Sequence, residues 1–131
     1  MKKFDDIKKM IVYLKEYRGY ANELEVIDAK MGVHSPQTSG SSCASAKPKD
    51  HIYNFCIERK KMIEKEMKER EDLVRTISDN DNYFRIIWYK FIMGESLERI
   101  CVMIGYSLSH MQHVLYPDAK QYLFNKCKDN H

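Results

Sequence analysis

Long apolar runs are absent from this chain, and so is any sign of export. No stretch approaches the roughly 20 consecutive apolar residues that a membrane-spanning helix needs. The amino terminus, MKKFDDIKK, carries Asp5 and Asp6 where a secretion signal would need an apolar run. We therefore expect a cytoplasmic protein that does not associate with a membrane.

Cysteines are few and show no paired spacing. The four are Cys43, Cys56, Cys101 and Cys127. In a chain without an export signal, this spacing is typical of reduced thiols. The spacing alone would permit a zinc site formed by His110, His113, Cys127 and His131. Nothing fixes the distances among these residues, so surface histidines and a terminal thiol are the favoured interpretation, and we expect no metal or other cofactor.

Patterns that would support catalysis are also missing. The sequence offers no nucleophile–base pair, no glycine-rich phosphate loop and no carboxylate pair in a catalytic context. We therefore expect that the protein is not an enzyme. Its 131 residues, 44% apolar and 31% charged, are enough for one or two small domains.

Apolar residues recur at helical spacing in two long segments. The first covers 3–31, and the second covers 50–77 with Asp50 as its cap. The apolar seam of the second segment is interrupted by Arg59, Lys60 and Arg70. Between the two, 32–49 is rich in glycine, serine and proline and is expected to be a mobile connector. This order predicts an antiparallel, coiled-coil-like hairpin that buries only a narrow stripe and packs against the second domain or another copy.

Shorter helices are predicted in the last part of the chain. The run 79–82, DNDN, indicates a turn and a helix cap. A strongly apolar helix should follow at 83–93 and end at Gly94. A last short helix is expected at 118–126, because Pro117 should end the helix before it by removing a backbone hydrogen bond and clashing with the preceding turn.

Residues 97–116, LERICVMIGYSLSHMQHVLY, predict a helix-turn-helix motif. Two short helices that cross at a steep angle need a small residue where they touch, and Cys101 supplies it. The turn needs a residue that tolerates positive φ, and Gly105 supplies that. Ser96 and Ser107 are the predicted caps of the two helices. The apolar residues expected to face a shared core are Ile100, Ile104, Tyr106, Met111, Val114 and Leu115.

The outward face of the second motif helix is predicted to be polar. If it enters the major groove of DNA, Gln112 can pair with an adenine edge and Ser109 with several bases. His113 or Tyr116 could then contact a base or a phosphate. The full set of candidate DNA-binding residues is Ser107, Ser109, His110, Gln112, His113, Tyr116, Arg99 and Lys120. The alternative interpretation is a neutral surface of a helical domain.

Contacts with phosphates supply most of the non-specific affinity for DNA. Because this helix has no Lys or Arg, those contacts would need basic residues from outside it. The candidates in the same region are Arg85, Lys90, Arg99 and Lys120, with the Lys and Arg residues of the hairpin as a further source. Arg99 is favoured because it is expected on the exposed side of the first motif helix. An ordinary solvated charge is the alternative.

The stretch 84–123, with WYKFIMGESLERICVMIGYS at its centre, resembles the region-four helix-turn-helix of sigma factors. It is more similar still to small phage and prophage transcriptional regulators of Gram-positive bacteria, of the RinA and ArpU kind. The positions that carry the resemblance are Tyr89, Gly94, Ser96, Ile100, Cys101, Gly105, Tyr106 and Ser107. The resemblance implies binding of double-stranded DNA near a phage promoter, in the cytoplasm of a bacterial host, with control of late or packaging genes.

A departure from that family pattern motivates a second hypothesis. Residues 107–119 contain no Arg or Lys, and an apparent extra residue and Pro117 fall where the family helix continues. Residues 79–131 also carry as many acidic as basic side chains, although nucleic-acid-binding domains are usually basic. The alternative is a protein-interaction module that reuses this scaffold, such as an inhibitor of a CRISPR nuclease or a factor that binds RNA polymerase.

No segment indicates a β-strand, so the predicted fold is all-α. It comprises a long two-helix hairpin at 1–78, with oligomerisation as its expected role, and a small helix-turn-helix domain at 79–131. The leading hypothesis is a homodimeric transcriptional regulator in which each helix-turn-helix binds one half-site.

Overall fold

The computed structural model describes residues 3–31 and 50–129, and every regular element in them is helical. The helices are α1 (Ile7–Lys30), α2 (Asp50–Arg75), α3 (Asp81–Ile87), α4 (Leu97–Ile104), α5 (Leu108–His110) and α6 (Tyr116–Asp129). Two π-helical turns, Trp88–Ile92 after α3 and Met111–Leu115 after α5, complete the set. The predicted all-α class is confirmed, and the predicted connector 32–49 lies outside the described residues. None of the described helices is long and apolar enough to cross a membrane.

The contacts divide the chain into two compact units. Unit 1 comprises Met1–Arg18 and Lys68–His131, and unit 2 comprises Gly19–Met67. The division therefore falls inside α1 and inside α2. The first part of α1 groups with the end of α2 and with α3 to α6, whereas the rest of α1 groups with the first part of α2. The expected boundary at residue 78 lies within unit 1, and the predicted domains, like the homodimer, stay predictions.

Unit 2 has a small apolar core between parts of α1 and α2. Its buried members are Ile27, Cys56 and Ile63, and its partly buried members are Tyr20, Leu24, Met31, Met62 and Met67. Two of the cations that interrupt the apolar seam pair with acids of α1. The Arg59 guanidinium donates to both carboxylate oxygens of Glu23, at 2.6 and 2.9 Å, and Lys60 Nζ lies 3.0 Å from Asp28 Oδ1. The hydrogen bond from Arg59 lowers the pKa of Glu23.

Arg70, the third cation in the seam, is buried in unit 1 with 2% of its surface exposed. Its Nε donates to the carbonyl of Tyr13 at 2.8 Å, and its Nη2 donates to Glu16 Oε1 at 2.6 Å. Its guanidinium carbon lies 3.8 Å from the centroid of the Tyr13 ring. A buried guanidinium is compatible with a packed interior only when it has partners of this kind. Arg70 therefore fixes the position of α2 against the first part of α1.

Helix α3 and the first π turn form one continuous helical segment, and polar contacts hold it at both ends. At its start, Asn80 Oδ1 accepts the Tyr83 N–H at 3.2 Å, which is the cap predicted from the run 79–82. At its end, Gly94 has a φ of 76°, as expected for a residue that ends a helix. Arg18 Nη1 donates to the carbonyl of Ile92 at 3.0 Å, so α1 supplies a partner for an otherwise unsatisfied carbonyl.

Replacing Arg70 with alanine should lower the free energy of unfolding by about 3 kcal/mol, because the buried carbonyl of Tyr13 loses a charged donor and Glu16 loses its ion-pair partner. The matched control is Lys68→Ala on the same helix. Lys68 pairs with Asp72 at 3.2 Å, but both side chains are exposed, so its loss should cost less than about 0.5 kcal/mol. Urea denaturation followed by circular dichroism measures both variants. Equal losses would contradict the role given to Arg70.

Candidate nucleic-acid interface

The turn between α4 and α5 is built from two serine caps and one left-handed glycine. Ser96 Oγ accepts the Arg99 N–H at 3.2 Å at the start of α4. Gly105 ends α4 with a φ of 83°, and its N–H donates to the carbonyl of Cys101 at 2.9 Å. Ser107 Oγ accepts the His110 N–H at 3.1 Å and starts the next helix. The structure therefore shows the three local features that the sequence predicted here.

The side chains between the two helices follow the prediction only in part. Ile100, Cys101 and Met111 are buried as expected. Tyr106 and Val114 were expected in the core, but they are 37% and 41% exposed, so that prediction is wrong. Tyr106 directly follows the left-handed glycine, and its hydroxyl oxygen accepts a hydrogen bond from Asn82 Nδ2 at 3.3 Å. Val114 lies in the second π turn, which changes the direction of its side chain.

The second π turn also explains why the prediction that Pro117 ends the helix is wrong. The Tyr116 N–H donates to the carbonyl of Met111, five residues earlier, and α6 then continues to Asp129. Pro117 directly follows this wider turn inside a helical run that is unbroken from 108 to 129, so its missing N–H does not end the helix. The wider turn before it also relieves the clash between the proline ring and the preceding turn. The last helix is Tyr116–Asp129 rather than 118–126.

The π turn removes Tyr116 from the predicted outward face. One residue added to a helix shifts the side chains after it by about 100° around the axis. Tyr116 is half-buried, its ring centroid lies 6.3 Å from that of Phe91, and burial raises its pKa to about 12. Tyr116 is thus less exposed than an outward-facing residue should be, and its contact with DNA stays a prediction. The candidate residues that remain exposed on this helix are Ser107, Ser109, His110, Gln112 and His113.

The basic residues proposed for phosphate contacts are exposed to different degrees, and most have a partner. Arg99 is exposed as predicted, and its Nε lies 2.7 Å from Glu95 Oε2. Lys120 Nζ lies 4.3 Å from the centroid of the Tyr116 ring. Arg85 pairs with Asp81 at 3.2 Å, and Lys90 is half-buried. The positive charge around the second motif helix is thus modest and largely compensated.

The prediction missed an apolar surface on α4. Val102 is 79% exposed and Met103 is 42% exposed. Both lie one turn after Arg99, which the sequence itself places on the exposed side, so helical spacing alone could have identified them. Exposed apolar side chains next to each other are typical of surfaces that bind a protein rather than phosphates.

The cysteines and histidines do not form a metal site within the described residues. No group of three or more His, Cys, Asp or Glu side chains there could hold a metal ion. Cys127 is buried, and burial raises the pKa of its thiol to about 11. His131, the fourth residue of the zinc alternative, lies outside the described residues.

Comparison with known proteins gives no relative for this chain. No protein-family model matches it, and neither does a curated protein or a solved structure. The resemblance to sigma factors and to phage regulators therefore stays a prediction. The case for a function depends on the geometry and chemistry of the surface around α4 and Ser107–His113.

Replacing Gly105 with alanine should lower the free energy of unfolding by about 1–2 kcal/mol, because an L-residue is strained at its φ of 83°. No atom lies within 4 Å of the position of the new Cβ, so the loss is conformational and not steric. The matched control is Gly19→Ala inside α1, where the space is also open and alanine should stabilise the helix by about 1 kcal/mol. Thermal unfolding measures both, and a stabilising Gly105→Ala would contradict the turn.

Proposed function

We propose that this protein is a DNA-binding transcriptional regulator of the phage type, which reads double-stranded DNA with the helix that begins at Ser107. One observation carries the proposal. A glycine turn and two serine caps present a helix whose polar side chains Ser109, Gln112 and His113 are all exposed. Ser109 lies in α5, whereas Gln112 and His113 lie in the π turn that follows it, and a helical segment fits the major groove, which is about 12 Å wide.

The exposed side chains suit direct recognition of bases. The Gln112 amide can donate and accept together, which matches the N6 and N7 atoms of adenine. Ser109 lies on the same exposed face and can donate to or accept from several bases. Recognition of this type depends on hydrogen-bond geometry and not on charge, so a neutral helix is compatible with it.

Affinity would come from cations beside the helix. Arg99 and Glu95 form an ion pair that is largely open to solvent, with 69% of the Arg99 side chain exposed. Exposed pairs of this kind contribute little free energy, so Arg99 can exchange Glu95 for a phosphate at small cost. Lys120, whose Nζ lies 4.3 Å from the centroid of the Tyr116 ring, is the candidate for a second phosphate contact.

We propose further that the protein acts as a homodimer, with each copy at one half-site. Helix α1 supports this, because Val12 in unit 1 and Val26 in unit 2 are each more than half exposed and available for association. A dimer of helix-turn-helix motifs binds half-sites about 34 Å apart on DNA.

The second candidate function is a protein-interaction module, and the exposed Val102 and Met103 favour it. Both side chains lie on α4, and neither can donate a hydrogen bond to a phosphate. A host protein such as RNA polymerase or a CRISPR nuclease is the partner class of this alternative. Substitutions can distinguish the two functions, because Val102 and Met103 lie on α4 whereas Ser109 and Gln112 lie on the helical segment after it.

Gln112→Ala should reduce binding to a duplex from the upstream region of this chain's own gene by about 5- to 100-fold, with little effect on a scrambled duplex. Arg99→Ala should weaken both duplexes alike and reduce the salt slope of log K by about 0.9. Fluorescence anisotropy between 50 and 200 mM salt measures both effects. Gln121→Ala is the control, because Gln121 is exposed on α6 and bonds only Asn125 among the described residues.

Failure of the unmodified chain to retain any duplex at 50 mM salt would overturn the DNA-binding proposal. The protein-interaction alternative then predicts binding to purified RNA polymerase or to a CRISPR nuclease, and loss of that binding in Val102→Glu. Phe55→Glu in unit 2 is the control, since Phe55 is also exposed but far along the sequence from α4. Pull-down with the purified partners measures the difference, and equal effects of both variants would argue against α4 as the contact surface.

A further inference from the structure

Two histidines are the only side chains on the proposed DNA-reading helix that can gain positive charge near neutral pH. Residues 107–119 contain no Lys or Arg, and their one acid is Asp118. His110 and His113 lie within this segment, and both are exposed. Imidazole is the side chain whose charge ordinarily changes between pH 5 and 8. The net charge of this surface therefore depends on protons.

The charged residues on the neighbouring elements do not duplicate that role. Helices α4 and α6 pack against the segment. Their described charged side chains are Glu98, Arg99, Asp118, Lys120, Lys126 and Lys128. Of the cations, Arg99 contacts Glu95, Lys120 lies over the Tyr116 ring, Lys126 contacts Asp79 and Lys128 lies over the Phe124 ring. All four cations lie outside the segment 107–119, so protonated histidines would be the only positive charges within it.

The ring of His110 lies beside an aromatic ring. The centroid of its ring lies 5.6 Å from that of Tyr106, with 34° between the ring planes. An aromatic ring at this distance attracts a cation through its negative face. The side chain of His110 makes no capping bond, since its backbone N–H alone donates to Ser107 Oγ. Its imidazole can therefore change charge without disturbing the start of the helix.

We propose that DNA binding at this surface is linked to proton uptake, with His110 and His113 contacting phosphates as imidazolium ions. This inference rests on the proposed DNA-binding function. A phosphate stabilises the protonated imidazole, so the complex holds more protons than the free protein. By linkage, affinity then rises as pH falls, and binding takes up protons from the buffer.

The expected effect is large enough to measure. Each phosphate neutralised by a protein cation adds about 0.9 to the slope of log K against log salt, which at 0.1 M salt corresponds to about an eightfold gain in affinity. Two histidines would therefore tighten binding by up to about 60-fold between pH 8 and pH 5.5. The salt slope should steepen over the same range.

The experiment uses the full chain and the upstream and scrambled duplexes, with anisotropy at pH 5.5, 6.5 and 8.0 over a series of salt concentrations. The His110→Gln/His113→Gln variant should have the same affinity at pH 8 and at pH 5.5, whatever that affinity is, because glutamine takes up no proton in this range. The His110→Lys/His113→Lys variant should bind tightly at every pH. Calorimetry in two buffers of different ionisation enthalpy counts the protons taken up. Circular dichroism at each pH verifies that the variants are folded.

The double glutamine variant keeps His34, His51 and His131, so it also controls for the other histidines of the chain. Persistence of the pH dependence in that variant would overturn the inference, and so would an unmodified chain whose affinity does not change with pH. Either result leaves the DNA-binding proposal intact. Failure to bind any duplex at any pH would overturn both.

Discussion

The geometry of the candidate interface depends on the carbonyl of Cys101. This oxygen accepts both the Gly105 N–H and the Tyr106 N–H, at 2.9 and 3.0 Å, while Gly105 takes a left-handed conformation. The two bonds end α4 and reverse the chain within a few residues. Ser107 can then begin a new helix at the direction that exposes Ser109 and Gln112. Without this bend, the polar side chains would follow the surface of α4, and no separate helix would project from the unit.

The two π turns have a related effect on the same unit. In the first, the buried pairs Ile86–Phe91 and Ile87–Ile92 are each five residues apart, which a π turn places on one face. The second places Met111 and Tyr116 on the inner side in the same way. Each turn thus directs an additional large side chain into the interior, and Phe91 and Tyr116 meet there. The interior of this small unit gains aromatic contacts at the cost of regular α-helical hydrogen bonding.

Local sequence chemistry was sufficient to predict the all-α class, a cap within 79–82, the caps at Ser96 and Ser107, and the positive φ at Gly105. Each of these depends on one side chain and its immediate neighbours, so the sequence alone contains the information. The orientation of Tyr116 and Val114 was predicted wrongly, because a π turn is selected by packing across the unit. A signal was present, however. The residues that face the interior recur every four positions, a longer spacing than the 3.6 residues per turn of an α-helix. They are Met111, Leu115, Ala119, Leu123 and Cys127.

The contacts of Arg18 have a consequence for whether residues 79–131 could be transferred to another protein. Arg18 donates to the Ile92 carbonyl, and a Cβ added at Gly94 would lie 3.0 Å from Arg18 Nε. The amino-terminal helix is thereby fitted to the segment that leads into α4. A fragment cut at residue 79 would leave that carbonyl without its donor. A chimera that grafts residues 79–131 onto another chain would therefore have to carry the first part of α1 with them.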